Sequence, residues 1–187
     1  MDRLRRAGLL TRLIEELRNN GSWCGETHVQ KATFLAQELA GIPLGFDFIL
    51  YKHGPFSFDL RDELTALRAD GLLKLETQWP YGPRISPTPQ SEYIEGLYPR
   101  TLEKYGTAVA FVANRLSNKG VSELERLATA FYVNLREDKT SVDERATRLT
   151  ELKPHILQEE AKGAIQAIDK IAEEAETKFS LLTEFDD

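Results

Sequence analysis

Apolar residues recur at helical spacing along most of this chain. Leu10, Leu13, Ile14 and Leu17 fall at i, i+3, i+4 and i+7, which predicts an amphipathic helix over residues 3–19. Asn19, Asn20 and Gly21 end it, since Asn and Gly suit the left-handed residue after a helix. A second helix is predicted over 27–39, with Thr27 as N-cap and Val29, Ala32, Ala36 and Leu39 on one stripe. Phe46, Phe48 and Leu50 then alternate with Asp47, Ile49 and Tyr51, a short strand signal. Lys52-His53-Gly54-Pro55 reads as the turn that follows. Ser57 caps a third helix over 58–69, which turns Leu60, Leu64 and Leu67 inward. Residues 72–78 and 84–88 form the arms of a hairpin, with Trp79-Pro80-Tyr81-Gly82-Pro83 as its tip.

The second half is predicted to be helical almost throughout. Leu102, Tyr105, Val109, Val112 and Leu116 mark one helix, and Leu124, Leu127, Ala128, Phe131 and Leu135 mark the next. Ser141 and Glu144 have capping-box spacing and open a third, ending near Leu152. Leu157, Ala161, Ala164, Ile168, Ile171, Ala175 and Phe179 share one face of a last helix over 155–181. Three helices and a hairpin in this order are the layout of a winged helix. The expected fold is mostly α (α+β). A winged-helix-like lobe with a small β-hairpin covers 1–90, and a helical lobe with an acidic C-terminal helix covers 91–187. The hinge falls near Pro87–Gln90, unless the two halves form one compact domain.

Composition narrows the class. The 187 residues are 41% hydrophobic and 29% charged, an ordinary globular mix. No apolar run approaches the ~20 residues of a membrane span, and the first residues lack a signal peptide's apolar core. One cysteine, Cys24, excludes an intramolecular disulfide and a cysteine-based zinc site. The expectation is a soluble cytoplasmic protein. The net charge of −6 falls in residues 151–187, the preceding 150 being balanced. Nucleic-acid binding normally leaves a basic footprint. The dense basic stretch here is Arg3, Arg5, Arg6, Arg12 and Arg18, partly offset by Asp2, Glu15 and Glu16.

Catalytic chemistry finds little support in the residue pattern. His28, His53 and His155 have no partner at metal-ligand spacing, and no phosphate loop, serine elbow or cysteine–histidine pairing is present. The carboxylate doublets Glu15-Glu16, Glu159-Glu160 and Glu173-Glu174 diverge by about 100° on a helix. Cys24 reads as a buried, inert thiol. No catalytic residue, metal or cofactor is expected. The third helix carries Asp59, Asp62, Glu63 and Asp70 against Arg61 and Arg68, which argues against reading a DNA groove.

Three stretches together resemble a known family. They are Thr27-His28-Val29-Gln30-Lys31-Ala32-Thr33-Phe34-Leu35, Tyr51-Lys52-His53-Gly54-Pro55-Phe56-Ser57-Phe58-Asp59-Leu60 and Leu67-Arg68-Ala69-Asp70-Gly71-Leu72-Leu73. They are similar to the YwgA-like group, which is related to the SocA-like antitoxin (Panacea) domains. Val29 stands where that pattern has Leu. Glu123-Leu124-Glu125-Arg126-Leu127-Ala128-Thr129-Ala130 and Leu152-Lys153-Pro154 extend the likeness over most of residues 1–170. The resemblance implies a winged-helix-like lobe plus helices and no known catalysis. Relatives in the superfamily act as antitoxins, proteolytic adaptors or toxin-binding domains.

The expected function is therefore a non-enzymatic protein-binding module of the antitoxin or adaptor class. It would mask or recruit a toxin or other basic protein. Gln30, Lys31, Tyr51, Lys52, His53, Gly54, Pro55 and Phe56 are its candidate partner-binding residues. The bland alternatives are a helix Gln bonding a neighbouring loop, a Lys packing its stem, and Gly54-Pro55 merely setting a turn. A second reading is a transcription regulator holding DNA through Arg3, Arg5, Arg6, Tyr81 and Arg84. A third is a structural subunit of a defence or regulatory assembly. Glu159, Glu160, Glu173, Glu174, Glu176, Glu184, Asp186 and Asp187 form an acidic tail that either solubilises a helix or imitates nucleic-acid phosphates.

Overall fold

A computed structural model describes residues 1–137 and 141–179. Helix α1 spans Arg3–Asn19, and the Asp2 carboxylate accepts the Arg5 N–H at its start. Its end is the expected one, with Gly21 at φ +90°. Helix α2 spans Glu26–Glu38, and its N-cap is Gly25 rather than Thr27. The reason lies just upstream. Cys24 takes a left-handed φ of +56° and its N–H donates to Ser22 Oγ, so the chain is already turned when it reaches Gly25.

The region after α2 differs most from expectation. The strand predicted over 46–51 begins only at Ile49, because Gln37 takes the backbone of Phe46 for itself. Its side chain donates to the Phe46 carbonyl at 2.9 Å and accepts its N–H at 2.8 Å. Strands β1 (Ile49–Tyr51) and β2 (Gly54–Phe56) pair antiparallel, with Tyr51 opposite Gly54 and Leu50 opposite Pro55. Gly54 and Pro55 thus belong to a strand, and the turn is Lys52-His53 alone. A lone two-stranded ribbon tolerates Pro55, which has no N–H to offer a ladder.

Helix α3 spans Phe58–Ala69 as expected, and Ser57 Oγ accepts the Leu60 N–H. Strands β3 (Leu73–Gln78) and β4 (Tyr81–Pro87) form the second hairpin, with Leu75 opposite Ile85. The order of three helices and a hairpin is the one read from the sequence, with β1–β2 inserted before α3. The fold is mostly α, with small antiparallel hairpins.

Residues 87–90, where the lobe boundary is expected, close β4 and open helix α4 (Pro89–Leu97), which the sequence reading does not include. Pro89 occupies the first helical position, where its missing N–H costs nothing. Thr88 Oγ1 donates to the Gly71 carbonyl and Ser91 Oγ to the Leu72 carbonyl, each at 2.6 Å. Helices α5 (Pro99–Leu116), α6 (Val121–Arg136), α7 (Val142–Leu152) and α8 (Gln158–Phe179) follow. Ser141 and Glu144 form the expected capping box. The last helix starts three residues later than expected, and its predicted end at 180–181 lies outside the described residues.

Helix α1 is buried on more than one face. Ala7, Leu9, Leu10, Leu13, Ile14 and Leu17 are all closed to solvent, and α1 packs against α2, α4, α5 and β4. Helix α2 in turn packs on α5 and α6, so one buried cluster runs from Ala7 to Phe179. Phe34 links its parts, meeting Phe48 at 5.2 Å and Phe131 at 6.0 Å. Arg145 on α7 grips Asp169 on α8 through two hydrogen bonds of 2.8 and 2.5 Å, and also reaches Asn134 on α6.

Candidate functional site

The eight residues singled out for partner binding converge on the β1–β2 hairpin, but in two layers. Gln30 and Lys31 lie beneath it and are fully buried. Gln30 donates to the Ser57 carbonyl and accepts the Ser57 N–H, both at 2.9 Å. Lys31 Nζ donates to the Pro55 carbonyl at 3.0 Å. Both side chains therefore hold backbone; for Gln30 this is the bland alternative drawn from the sequence, whereas Lys31 buries its ammonium as well as its stem. The outer layer is Tyr51, Lys52 and His53, all exposed, with Phe56 half-buried. Gly54 and Pro55 are buried between the layers.

A second lysine clamps the hairpin from the opposite end of the chain. Lys153 Nζ donates to the carbonyls of Tyr51 at 2.6 Å and Lys52 at 2.7 Å. Buried ammonium groups need a counter-charge. Glu125 on α6 supplies it, with Oε1 3.2 Å from Lys153 Nζ. The same carboxylate lies 3.4 Å from His155 Nε2 and 3.8 Å from His53 Nδ1. Burial pushes the Lys31 ammonium down to about 8, against the opposing pull of Glu125 and with further depression from Lys153.

Gly54 is fixed by this packing. It sits at φ +86°, and an added Cβ would lie 3.0 Å from Thr129 Oγ1 and 3.4 Å from the Glu125 carbonyl. The hairpin thus rests directly on α6. Its outer side carries an aromatic cluster that the sequence reading only half assembled. Tyr51, Phe56 and Phe58 meet pairwise at 5.5, 5.6 and 5.1 Å. Tyr51 and Phe58 remain 52% and 40% exposed. Arg61 stacks over Phe58 at 5.0 Å.

The five residues of the DNA-binding alternative are each engaged by neighbouring side chains. Arg3 bonds Glu63 on α3 at 3.0 Å and Asp70, the residue that caps its end, at 2.7 Å. Arg5 pairs with Asp2 and faces the Tyr98 ring. Arg6 lies over the Phe46 ring and 3.7 Å from Glu63. Arg84 bonds Glu76 at 3.0 Å and lies over Trp23. Tyr81 is exposed and its ring meets Trp23 at 5.0 Å. The charges on α3 and at its C-cap are divided accordingly. Glu63 and Asp70 face the arginines of α1, while Arg61, Thr65 and Arg68 face the β3–β4 hairpin.

Cys24 is buried, and burial pushes its thiol up to about 12. Among the described residues no cluster of His, Cys, Asp or Glu is arranged to hold a metal ion, and no helix is long and apolar enough to cross a membrane. On α8, Glu160 pairs with Arg126, Glu159 with Lys162 and Glu174 with Arg115, while Glu173 and Glu176 are exposed. Glu184, Asp186 and Asp187 lie outside the described residues.

Glu125, Lys153, His155, Thr129 and Phe58 were not read as site residues. Glu125 and Lys153 stood inside the stretches that carry the resemblance, but nothing local marks them as partners of a hairpin about 70 and 100 residues away. No protein-family model matches the chain, and no curated protein matches it.

Two outcomes follow from this geometry. Gly54→Ala forces a left-handed backbone on a residue with a Cβ and presses it on Thr129, so it is expected to cost about 2 kcal/mol in urea unfolding. A cost below ~0.5 kcal/mol would contradict the packing. Lys31 sheds its proton in the folded chain near pH 8 but keeps it in the unfolded chain to about 10.5, so its contribution to stability improves as pH rises between those values. The stability of the native chain relative to Lys31→Met is expected to gain about 2 kcal/mol from pH 7.5 to 10. A flat difference across that range would show that Lys31 is not held in a desolvated site.

Proposed function

We propose that this chain is a non-enzymatic protein-binding module that masks or recruits a protein partner through the β1–β2 hairpin. The observation that carries the reading is the Tyr51–Phe56–Phe58 cluster, displayed on a backbone that Lys31, Lys153 and Gln30 hold from beneath. Aromatic side chains on a rigid support lose little entropy on binding and make good anchors. Lys52 and His53 at the turn add polar contacts around them.

Two further observations support this reading over the alternatives. Lys31 and Lys153 are engaged by backbone carbonyls, and Glu125 balances Lys153, which fits a structural role for this cluster. Arg3, Arg5 and Arg6 are taken up by Asp2, Glu63 and Asp70, so they offer phosphates little unmatched charge. The antitoxin or adaptor class is part of this proposal and is supported by the resemblance to the YwgA-like and SocA-like domains. A cytoplasmic setting belongs to the same proposal and accords with the single cysteine.

The test is affinity purification of the tagged chain from its native cells, beside a Tyr51→Ala/Phe58→Ala variant of matched melting temperature. Quantitative mass spectrometry is expected to find one stoichiometric protein that falls at least tenfold with the variant. Recovery of nucleic acid instead, at equal levels in both, would contradict the reading.

A further inference from the structure

A groove runs between α3 and the β3–β4 hairpin, on the side of α3 turned away from α1. Leu64, Leu75, Pro83 and Ile85 line it, with Arg61, Thr65 and Arg68 along one wall and Glu26 on the rim. Its volume is about 220 Å³, room for an aliphatic side chain. Leu64 and Ile85 are buried in its floor, whereas Leu75 is 43% exposed.

The two arginines of this wall carry little carboxylate pairing among the described residues: Arg68 has none, and Arg61 has only its chain neighbour Asp62, at a distance comparable with that of Arg6 from Glu63. Arg3, Arg5, Arg12, Arg18 and Arg84 each have a carboxylate within 3.4 Å, and Arg6 donates to the Leu44 carbonyl with Glu63 at 3.7 Å. Arg68 bonds only the Thr65 hydroxyl among the described residues, at 3.0 Å. Arg61 has its nearest carboxylate, Asp62, at 3.6 Å and lies over the Phe58 ring. A guanidinium carries five N–H donors in a planar fork that matches a carboxylate. Most of those donors are unused here. Through the Phe58–Arg61 stack the groove is continuous with the aromatic cluster on the first hairpin.

We propose that this groove takes a short acidic–aliphatic segment of the protein partner, an inference that rests on the binding function proposed above. An aliphatic side chain covers Leu64, Leu75 and Ile85, and flanking carboxylates pair with Arg61 and Arg68. A phosphodiester backbone would match the arginines but would leave that apolar floor open, so the observations favour peptide over nucleic acid. Glu26 is the opposing charge at the rim, and it favours a segment whose carboxylates lie toward α3.

The experiment is selection of a random peptide library displayed on phage against the full chain. Affinities are then read by fluorescence anisotropy on Arg61→Glu/Arg68→Glu, on Leu75→Lys and on Tyr51→Ala/Phe58→Ala, each with a native melting profile. The expected peptides are rich in Asp or Glu beside Leu or Ile, and lose at least tenfold affinity with either groove variant. A selection without that pattern, or peptides indifferent to both groove variants, overturns the groove assignment. Peptides lost only with Tyr51→Ala/Phe58→Ala overturn it too, yet leave the binding module standing. A labelled DNA duplex that binds the native chain and is lost with Arg61→Glu/Arg68→Glu overturns both.

Discussion

Two buried ammonium groups hold the backbone of one short hairpin, and the arrangement around them follows from that requirement. A three-residue ribbon such as β1–β2 is unstable in water by itself. Lys31 takes the Pro55 carbonyl and Lys153 takes those of Tyr51 and Lys52, so the ribbon is fastened to α2 and to the segment after α7. Burying two cations is costly unless charge and hydrogen bonds compensate. Glu125 supplies the charge and the hairpin carbonyls the hydrogen bonds. Removing Gly54's freedom or Glu125's charge disturbs the same assembly, because Gly54 packs on Thr129 one helical turn after Glu125.

The same economy of charge divides the molecule's outer surface. Helix α3 would look repulsive to any anion if its acids were counted together. In three dimensions Glu63 and Asp70 neutralise Arg3, while Arg61 and Arg68 occupy the opposite side. One helix therefore serves two purposes. Its acidic side fixes α1, and its basic side faces a groove. Net charge hides this division, since it is a property of faces rather than of composition.

Much of the fold was legible in the sequence because its signals are local. The period of Leu10, Leu13, Ile14 and Leu17 gave α1 its limits, and Ser57 and Ser141 marked helix starts that their hydroxyls do cap. Helix α4 escaped notice because Pro87 and Pro89 resemble a break until Pro89 is placed at the first helical position. The β1–β2 pairing escaped because Gly54-Pro55 is ordinarily turn chemistry, and only distant lysines make it a strand. The candidate site was legible as a neighbourhood, not as a set of roles. Gln30 and Lys31 belong to it, yet from beneath. Lys153 and Glu125 complete it through contacts that no spacing rule records.

The central claim is that this clamp, rather than the ribbon's own pairing, keeps the hairpin rigid. Hydrogen–deuterium exchange over peptides covering residues 49–56 tests it most directly, comparing the native chain with Lys153→Met. Protection of that segment is expected to fall at least tenfold while α1 and α5 keep theirs, as in local rather than global opening. Unchanged protection in residues 49–56, or an equal loss throughout the chain, would contradict the account.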